Sequence, residues 1–275
     1  MPLVATLVCA ALLAAAPAPG EARPGDQTDD IDKAGEPAGG AAVSPVELIP
    51  RLELRQVYTR LSGGVSIHDS ILESDIEFLR RLLLRYQIPA RLMETPAGQI
   101  SGLGDIQLGL VAILGSTPRF VGGLLGGAVL NTATQPKLGA GRPQLMAGLG
   151  VAYKPYRWWL AYAVAQQQFT VGDAGSGRPD VDQLSVDAGS ILFGRQFNWL
   201  KLDLMPTVDF PNGAVGRLYG TGEAGVLVIG RVGLFMRAGT QLAGARLIDF
   251  NLAAGVRYLF RLETGKAGVK GAAEW

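Results

Sequence analysis

The chain has 275 residues, 25 Lys and Arg against 24 Asp and Glu, a formal net charge of +1, and 38 glycines. From Val46 onward 23 basic residues stand against 18 acidic ones, dispersed along the chain, which excludes the clustered basic surface of a nucleic-acid binder. Cys9 is the only cysteine and lies in an N-terminal apolar run, so disulfide frameworks and cysteine metal sites are excluded for the remainder.

Leu3 to Ala16 is almost wholly Leu, Val and Ala, followed by Pro17, Pro19 and the small residues of Gly20-Glu21-Ala22. The run is too short to cross a bilayer as a helix and reads as a secretory signal peptide over 1–22, although no Lys or Arg precedes Arg23. Residues 23–45 carry Asp26, Asp29, Asp30, Asp32 and Glu36 among Pro and Gly with few large apolar side chains, the composition of a disordered acidic leader. Residues 46–262 show no interior linker and are expected to form one β domain, with 263–275 as a C-terminal tail.

Within that domain apolar and polar residues alternate with a period of two, which only extended strands produce. In Val46 to Arg60, Leu52, Leu54 and Tyr58 oppose Arg51, Glu53 and Arg55. Val65, Ile67 and Ile71 alternate with Ser66, His68 and Ser70, a short strand or an ordered loop. Asp75 to Tyr86 sets Ile76, Phe78, Leu82, Leu84 and Tyr86 against Asp75, Glu77, Arg81 and Arg85; Arg80 breaks the phase, and Leu79, Leu82, Leu83 and Tyr86 also fit a helix. Pro89 to Leu103, with Pro96 and Gly98, is expected to be a long loop.

Asp105 to Leu114, Phe120 to Leu130, Gln144 to Tyr153, Trp158 to Phe169 and Val181 to Arg195 follow as strands. The apolar faces of three of them hold Ile106, Leu108 and Leu110, then Leu145, Leu149 and Val151, then Trp158, Leu160, Tyr162 and Val164. Small or amide residues oppose these faces, among them Gln107, Gly109, Gln144, Gly148, Gly150, Ala161, Ala163 and Gln167. Trp199 to Phe210 alternates most regularly, with Leu200, Leu202, Leu204, Val208 and Phe210 opposite Lys201, Asp203, Thr207 and Asp209. Leu218 to Ile229, Val232 to Gln241 and Asp249 to Arg261 complete the set.

Short connections such as Lys154 to Arg157 alternate with longer ones such as Asn131 to Arg142 and Thr170 to Asp180, the rhythm of periplasmic turns and external loops. Nearly every strand carries ionisable groups on one face and almost none on the other; a soluble core lined with so many charges would be prohibitively costly. The charged face must therefore be wet; the apolar face could meet a soluble core, lipid or a partner, and the signal peptide, the lack of cysteine beyond it and the turn and loop rhythm favour lipid over a soluble sandwich. Aromatic residues near strand ends (Tyr58, Tyr153, Trp158, Trp199, Phe210, Tyr258 and Phe260) read as interfacial girdles. The expectation is an all-β fold, a closed antiparallel transmembrane barrel in the outer membrane. Eleven runs are legible and an even number is required if both termini are periplasmic, so about twelve strands are expected, with ten as the alternative.

Ser101-Gly102-Leu103-Gly104-Asp105-Ile106, together with Asn131-Thr132-Ala133-Thr134 through Leu138-Gly139-Ala140-Gly141, resembles a family of bacterial outer-membrane proteins grouped as transporters of the phenol-degradation meta pathway. The likeness runs loosely from Leu48 to Phe260, with Asn131 where those proteins tend to carry proline. It implies a barrel and uptake of small, often aromatic, compounds, and implies no catalytic residues.

The candidate lumen-lining residues are Lys201, Asp203, Asp209, Arg217, Glu223, Arg231, Arg237, Asp249 and Arg257, with Arg261 in the same phase, pairing across strands or lining a path for solutes. His68 and Ser70, which would share a strand face, are the one arrangement suggestive of a lipid hydrolase, but no nucleophile motif surrounds them. Gly220, Gly222 and Gly225 match a dinucleotide pattern inside an alternating strand with no helix after it, which is the wrong context for a phosphate site. No cofactor or metal is expected. The partners expected are outer-membrane lipid, small-molecule solutes and the outer-membrane assembly machinery. A structural barrel without transport activity is the remaining alternative.

Overall fold

The computed structural model describes residues 50–79, 81–156, 158–172, 180–194, 198–211, 214–229 and 231–260. The signal peptide, the leader, the C-terminal tail and Arg261 lie outside the described residues.

Thirteen strand segments follow in chain order: β1 (Arg51–Leu61), β2 (Ser66–Leu79), β3 (Leu82–Thr95), β4 (Gly98–Leu103), β5 (Ile106–Thr117), β6 (Phe120–Leu130), β7 (Gln144–Tyr156), β8 (Trp159–Thr170), β9 (Asp182–Phe193), β10 (Asn198–Asp209), β11 (Val215–Ile229), β12 (Val232–Gly244) and β13 (Ile248–Leu259). Apart from β4 and β5, which both pair with β3, consecutive strands pair antiparallel, and β1 pairs with β13, so the sheet closes on itself. β4 and β5 are one wall element broken at Gly104 and Asp105: β4 pairs with the outer half of β3 and β5 with its inner half. The ring is therefore a closed barrel of twelve strands. Closure satisfies every edge that a bilayer would otherwise leave unpaired.

The alternation read from the sequence becomes inside and outside. Large apolar side chains such as Leu54, Ile76, Leu124, Leu149, Leu202, Leu204, Met236 and Leu252 are exposed on the outer surface, while Arg51, Glu53, Glu73, Asp75, Lys201 and Glu223 are buried inside. That inversion of soluble burial is what a lipid solvent selects. Aromatic rings mark the inner rim, where Tyr156 stacks on Trp158 at 5.4 Å and Tyr258 meets Phe260 edge-on at 5.3 Å. At the outer end Tyr58 packs on Phe250 at 5.7 Å.

Four expectations change. The stretch near Val65 to Leu72 is strand, but within the longer β2, and Asp75 to Tyr86 is neither one strand nor a helix, being divided between β2 and β3. The chain runs extended from Ser66 to Leu79, pairs Leu79 with Leu82, and continues as β3. Pro89 to Leu103 is no loop, because β3 extends to Thr95 and turns into β4; Pro89 is accommodated where β3 changes partner from β5 to β4. In β8 the faces are swapped: Leu160, Tyr162 and Val164 point inward and are buried, and Ala161 and Ala163 face outward. Trp199 also points inward rather than joining a girdle, as its hydrogen bond to Glu223 requires.

The tight β1–β2 turn needs two residues with positive φ, 89° at Gly63 and 87° at Gly64, a conformation that a Cβ would strain.

Candidate functional site

The lumen is the only surface of this barrel where polar chemistry is concentrated among the described residues, and the strand register builds it. Residues directly opposite on neighbouring strands share a face. Glu53 on β1 lies opposite Arg257 on β13 and Glu73 on β2; Asp75 lies opposite Arg51 and Arg85; Glu223 on β11 lies opposite Lys201 and Arg237. The result is a continuous lattice over β3, β2, β1, β13, β11 and β12.

Arg85 Nη2 donates to Asp75 at 2.7 Å and Arg51 Nη2 to Glu73 at 2.8 Å. Arg55 Nη1 donates to both Glu53 at 2.7 Å and Glu73 at 2.8 Å. Arg257 Nε donates to Glu53 at 2.7 Å, and Arg237 Nε to Glu223 at 3.0 Å. Two carboxylates placed opposite each other, Glu53 and Glu73, would repel; the Arg55 guanidinium between them removes that penalty. Five guanidiniums and four carboxylates leave the lattice nearly neutral, the condition under which buried charge is tolerated.

The other side of the inner lumen is mainly apolar, with the buried Asp187 of β9 opposite Val164. Leu83, Val111, Leu125, Leu160, Val164 and Ile191 form one buried cluster on the inward faces of β3 and β5 through β9, with Trp199 of β10 packed at its edge. Glycines 123 and 127 on β6 and 148 and 150 on β7 share those inward faces with Leu125 and Ala152. The two halves meet at aromatic rings. The Arg257 guanidinium lies 4.9 Å from the Phe235 ring centre and 5.5 Å from that of Trp199, and Trp199 Nε1 donates to Glu223 at 2.8 Å. Lys201 sits 5.4 Å from the Tyr162 ring, whose hydroxyl donates to Asp203.

Of the candidate lining residues, Lys201, Asp203, Asp209, Arg217, Glu223, Arg237 and Arg257 all project inward. Glu223, Arg237 and Arg257 join the lattice; Lys201 pairs with Asp203 at 3.5 Å, and Arg217 with Asp209 at 4.0 Å nearer the outer end. Asp249 pairs with Arg246 at 3.0 Å on the outer rim. Arg231 differs from the expectation: it is exposed in the β11–β12 turn at the inner rim, where the strand has already ended. The candidate set omitted Arg51, Glu53, Arg55, Glu73, Asp75 and Arg85, the other half of the lattice. Their alternation is visible in the sequence, but which charge stands opposite which depends on the register of β1 against β2 and β13.

The outer mouth has its own construction. Between β6 and β7 the chain folds inward as a segment containing one 3-10 turn, Pro136–Leu138. The fully buried Asp105 carboxylate holds it, accepting the backbone N–H groups of Thr132 at 3.0 Å, Ala133 at 2.9 Å and Ala140 at 2.6 Å. A Cβ at Gly139 would press on that carboxylate at 2.5 Å. Arg91, paired with Asp69 at 2.8 Å, donates to the Leu138 carbonyl at 3.1 Å. The two stretches that carry the family resemblance therefore meet at Asp105.

His68 and Ser70 point outward on β2 beside each other but are not joined. Ser70 Oγ donates to Gln56 at 2.8 Å, and His68 Nε2 lies 3.8 Å from Glu94 and packs on Tyr58. Gly220, Gly222 and Gly225 lie within unbroken β11; Gly225 leaves room for the Trp199 ring, and Gly220 for Leu242.

Among solved structures, the barrel is similar to the outer membrane channel from Pseudomonas putida, with 15% identity, a TM-score of 0.64, and coverage of 79% of this chain and 100% of that one. The NanC porin follows at 7% identity and TM-score 0.58, covering 76% and 100%, and the KdgM porin at 7% and 0.55, covering 77% and 99%. The fold is that of an outer-membrane barrel. No family model and no curated protein matches the chain. At these identities the likeness shows the architecture alone.

Proposed function

We propose that this protein is a narrow outer-membrane channel for small solutes that carry both an apolar and a polar part, small aromatic compounds among them. One observation carries the reading: at the inner end of the lumen Val111, Leu125 and Val164 lie on one side, with Asp187 beside Val164, and the guanidinium-rich lattice lies on the other. A solute can keep its apolar side against the first wall while its hydroxyl or carboxyl exchanges hydrogen bonds along the second. Because the lattice is internally neutralised, weak selectivity between ions of opposite sign is expected. Twelve strands leave a small bore once arginines occupy it, so conductance is expected to be low. The lipid-hydrolase reading finds no support, since Ser70 is engaged by Gln56 and not by His68.

The test is planar-bilayer conductance of the refolded protein together with uptake of a small aromatic compound by cells with and without it. Small, weakly selective currents and protein-dependent uptake support the channel. Absence of both, in a barrel whose gel mobility changes on heating, would leave a structural role.

A further inference from the structure

Leu61 of β1, Ile67 of β2, Met93 of β3, Met205 of β10, Tyr219 of β11 and Ile248 of β13 form one buried apolar cluster near the outer mouth, and Leu138 of the inward segment belongs to it with no exposed surface. β3 and β10 stand six positions apart in a ring of twelve and therefore face each other across the bore. A cluster that includes both Met93 and Met205 spans the lumen, and the only member not supplied by a barrel strand or by the β1–β2 turn is Leu138. Leu138 packs within this collar, its Cδ1 lying over Gly102 of β4, and is carried on a segment whose backbone the Asp105 carboxylate and Arg91 hold, with Thr134 N–H donating to the Leu103 carbonyl at 3.0 Å and Gln135 Nε2 to the Ser101 carbonyl at 2.9 Å.

Resting on the channel reading, we infer that the collar is a binding site for the apolar part of an entering solute, with Leu138 as its resident stand-in. The ligand class is a small molecule with an uncharged apolar group of isobutyl to phenyl size; a fully hydrated ion gains nothing in such a ring and must leave its water to pass. Exchange of Leu138 for solute opens the mouth, and Asp105 sets how readily the segment yields, because three backbone N–H groups lose a charged acceptor when it swings away.

The test places a single cysteine at Met205 (Met205→Cys), with Ile67→Cys as an independent reporter, and Cys9 replaced by Ser. Outer-membrane vesicles are treated with a membrane-impermeant cationic methanethiosulfonate. With Leu138 present the thiol should react slowly. Leu138→Ala, and separately Asp105→Asn, should speed labelling by about tenfold or more, since truncating a packed leucine costs well beyond the free energy that a tenfold ratio represents. Millimolar p-cresol should slow the Leu138→Ala reaction again, and equimolar glycerol should not. Each variant is checked for heat-modifiable mobility first. Equal labelling rates with and without Leu138, or no protection by p-cresol, overturns the collar. The channel reading fails separately: no current from either wild type or Leu138→Ala in bilayers would sink it whatever the labelling shows.

Discussion

Arg257 Nε donates to Glu53 Oε2 at 2.7 Å across 204 residues of chain, joining the last strand to the first inside the lumen. Glu53 has no exposed surface and also accepts from Arg55, so it neutralises charge at the point where the barrel closes.

Glu53→Ala should therefore destabilise the barrel by about 3–5 kcal/mol, because it strands buried guanidiniums without an acceptor. Glu53→Gln should recover part of this by keeping one acceptor oxygen. Urea unfolding of the lipid-refolded protein measures both. A loss below about 1 kcal/mol, the range of exposed pairs, would mean that water reaches the lattice freely.

The placement of Arg231 and Arg237 separates two residues that share a phase. Arg237→Ala should shift permeability toward cations by about a factor of five, the effect of losing about 1 kcal/mol of charge interaction in a wet lumen. Arg231→Ala should leave selectivity unchanged, since that side chain is exposed in the turn. Reversal potentials across a salt gradient give both numbers, and equal effects would contradict this geometry.

Inverted packing on β8 has a direct test. Ala163→Arg should cost about 2–4 kcal/mol, as for a charge presented to lipid near the bilayer centre. Had Ala163 faced the lumen, as its small size suggests, an arginine there would narrow the bore without that penalty. Unfolding free energy and conductance of the same variant distinguish the two.

Gly225 lies under the Trp199 ring, and an added methyl would overlap it. Gly225→Ala should displace the indole from Glu223 and cost about 1–3 kcal/mol through overpacking. Unfolding midpoints report the cost. An unchanged midpoint would mean that the ring moves aside freely.

The wall was legible in sequence wherever one face had to be charged. On β10, Lys201, Asp203, Thr207 and Asp209 cannot meet hydrocarbon, so their phase fixes that strand's orientation without knowledge of any neighbour. On β8 the rule loses its grip, because both faces are uncharged and lipid accepts Ala161 and Ala163 as readily as Leu160 and Val164. There the choice is made by β7 and β9, which register Ala152 against Tyr162 and Val164 against Asp187. Trp199 departs from the pattern for a related reason: a tryptophan at a strand end suits an interface, and its partner Glu223 holds it inward.

The sequence by itself determined a period of two, the separation of charge from hydrocarbon and hence the barrel class, because these depend on each residue's own solvation. The tertiary structure alone decided which charges neutralise one another, which apolar residues gather opposite them, and that Leu138 is buried against Met93, Met205 and their neighbours. Those depend on contacts such as Glu53 with Arg257 and Asp105 with Ala140 between residues far apart in the chain, and ring closure and strand register, which no local pattern encodes, bring them together.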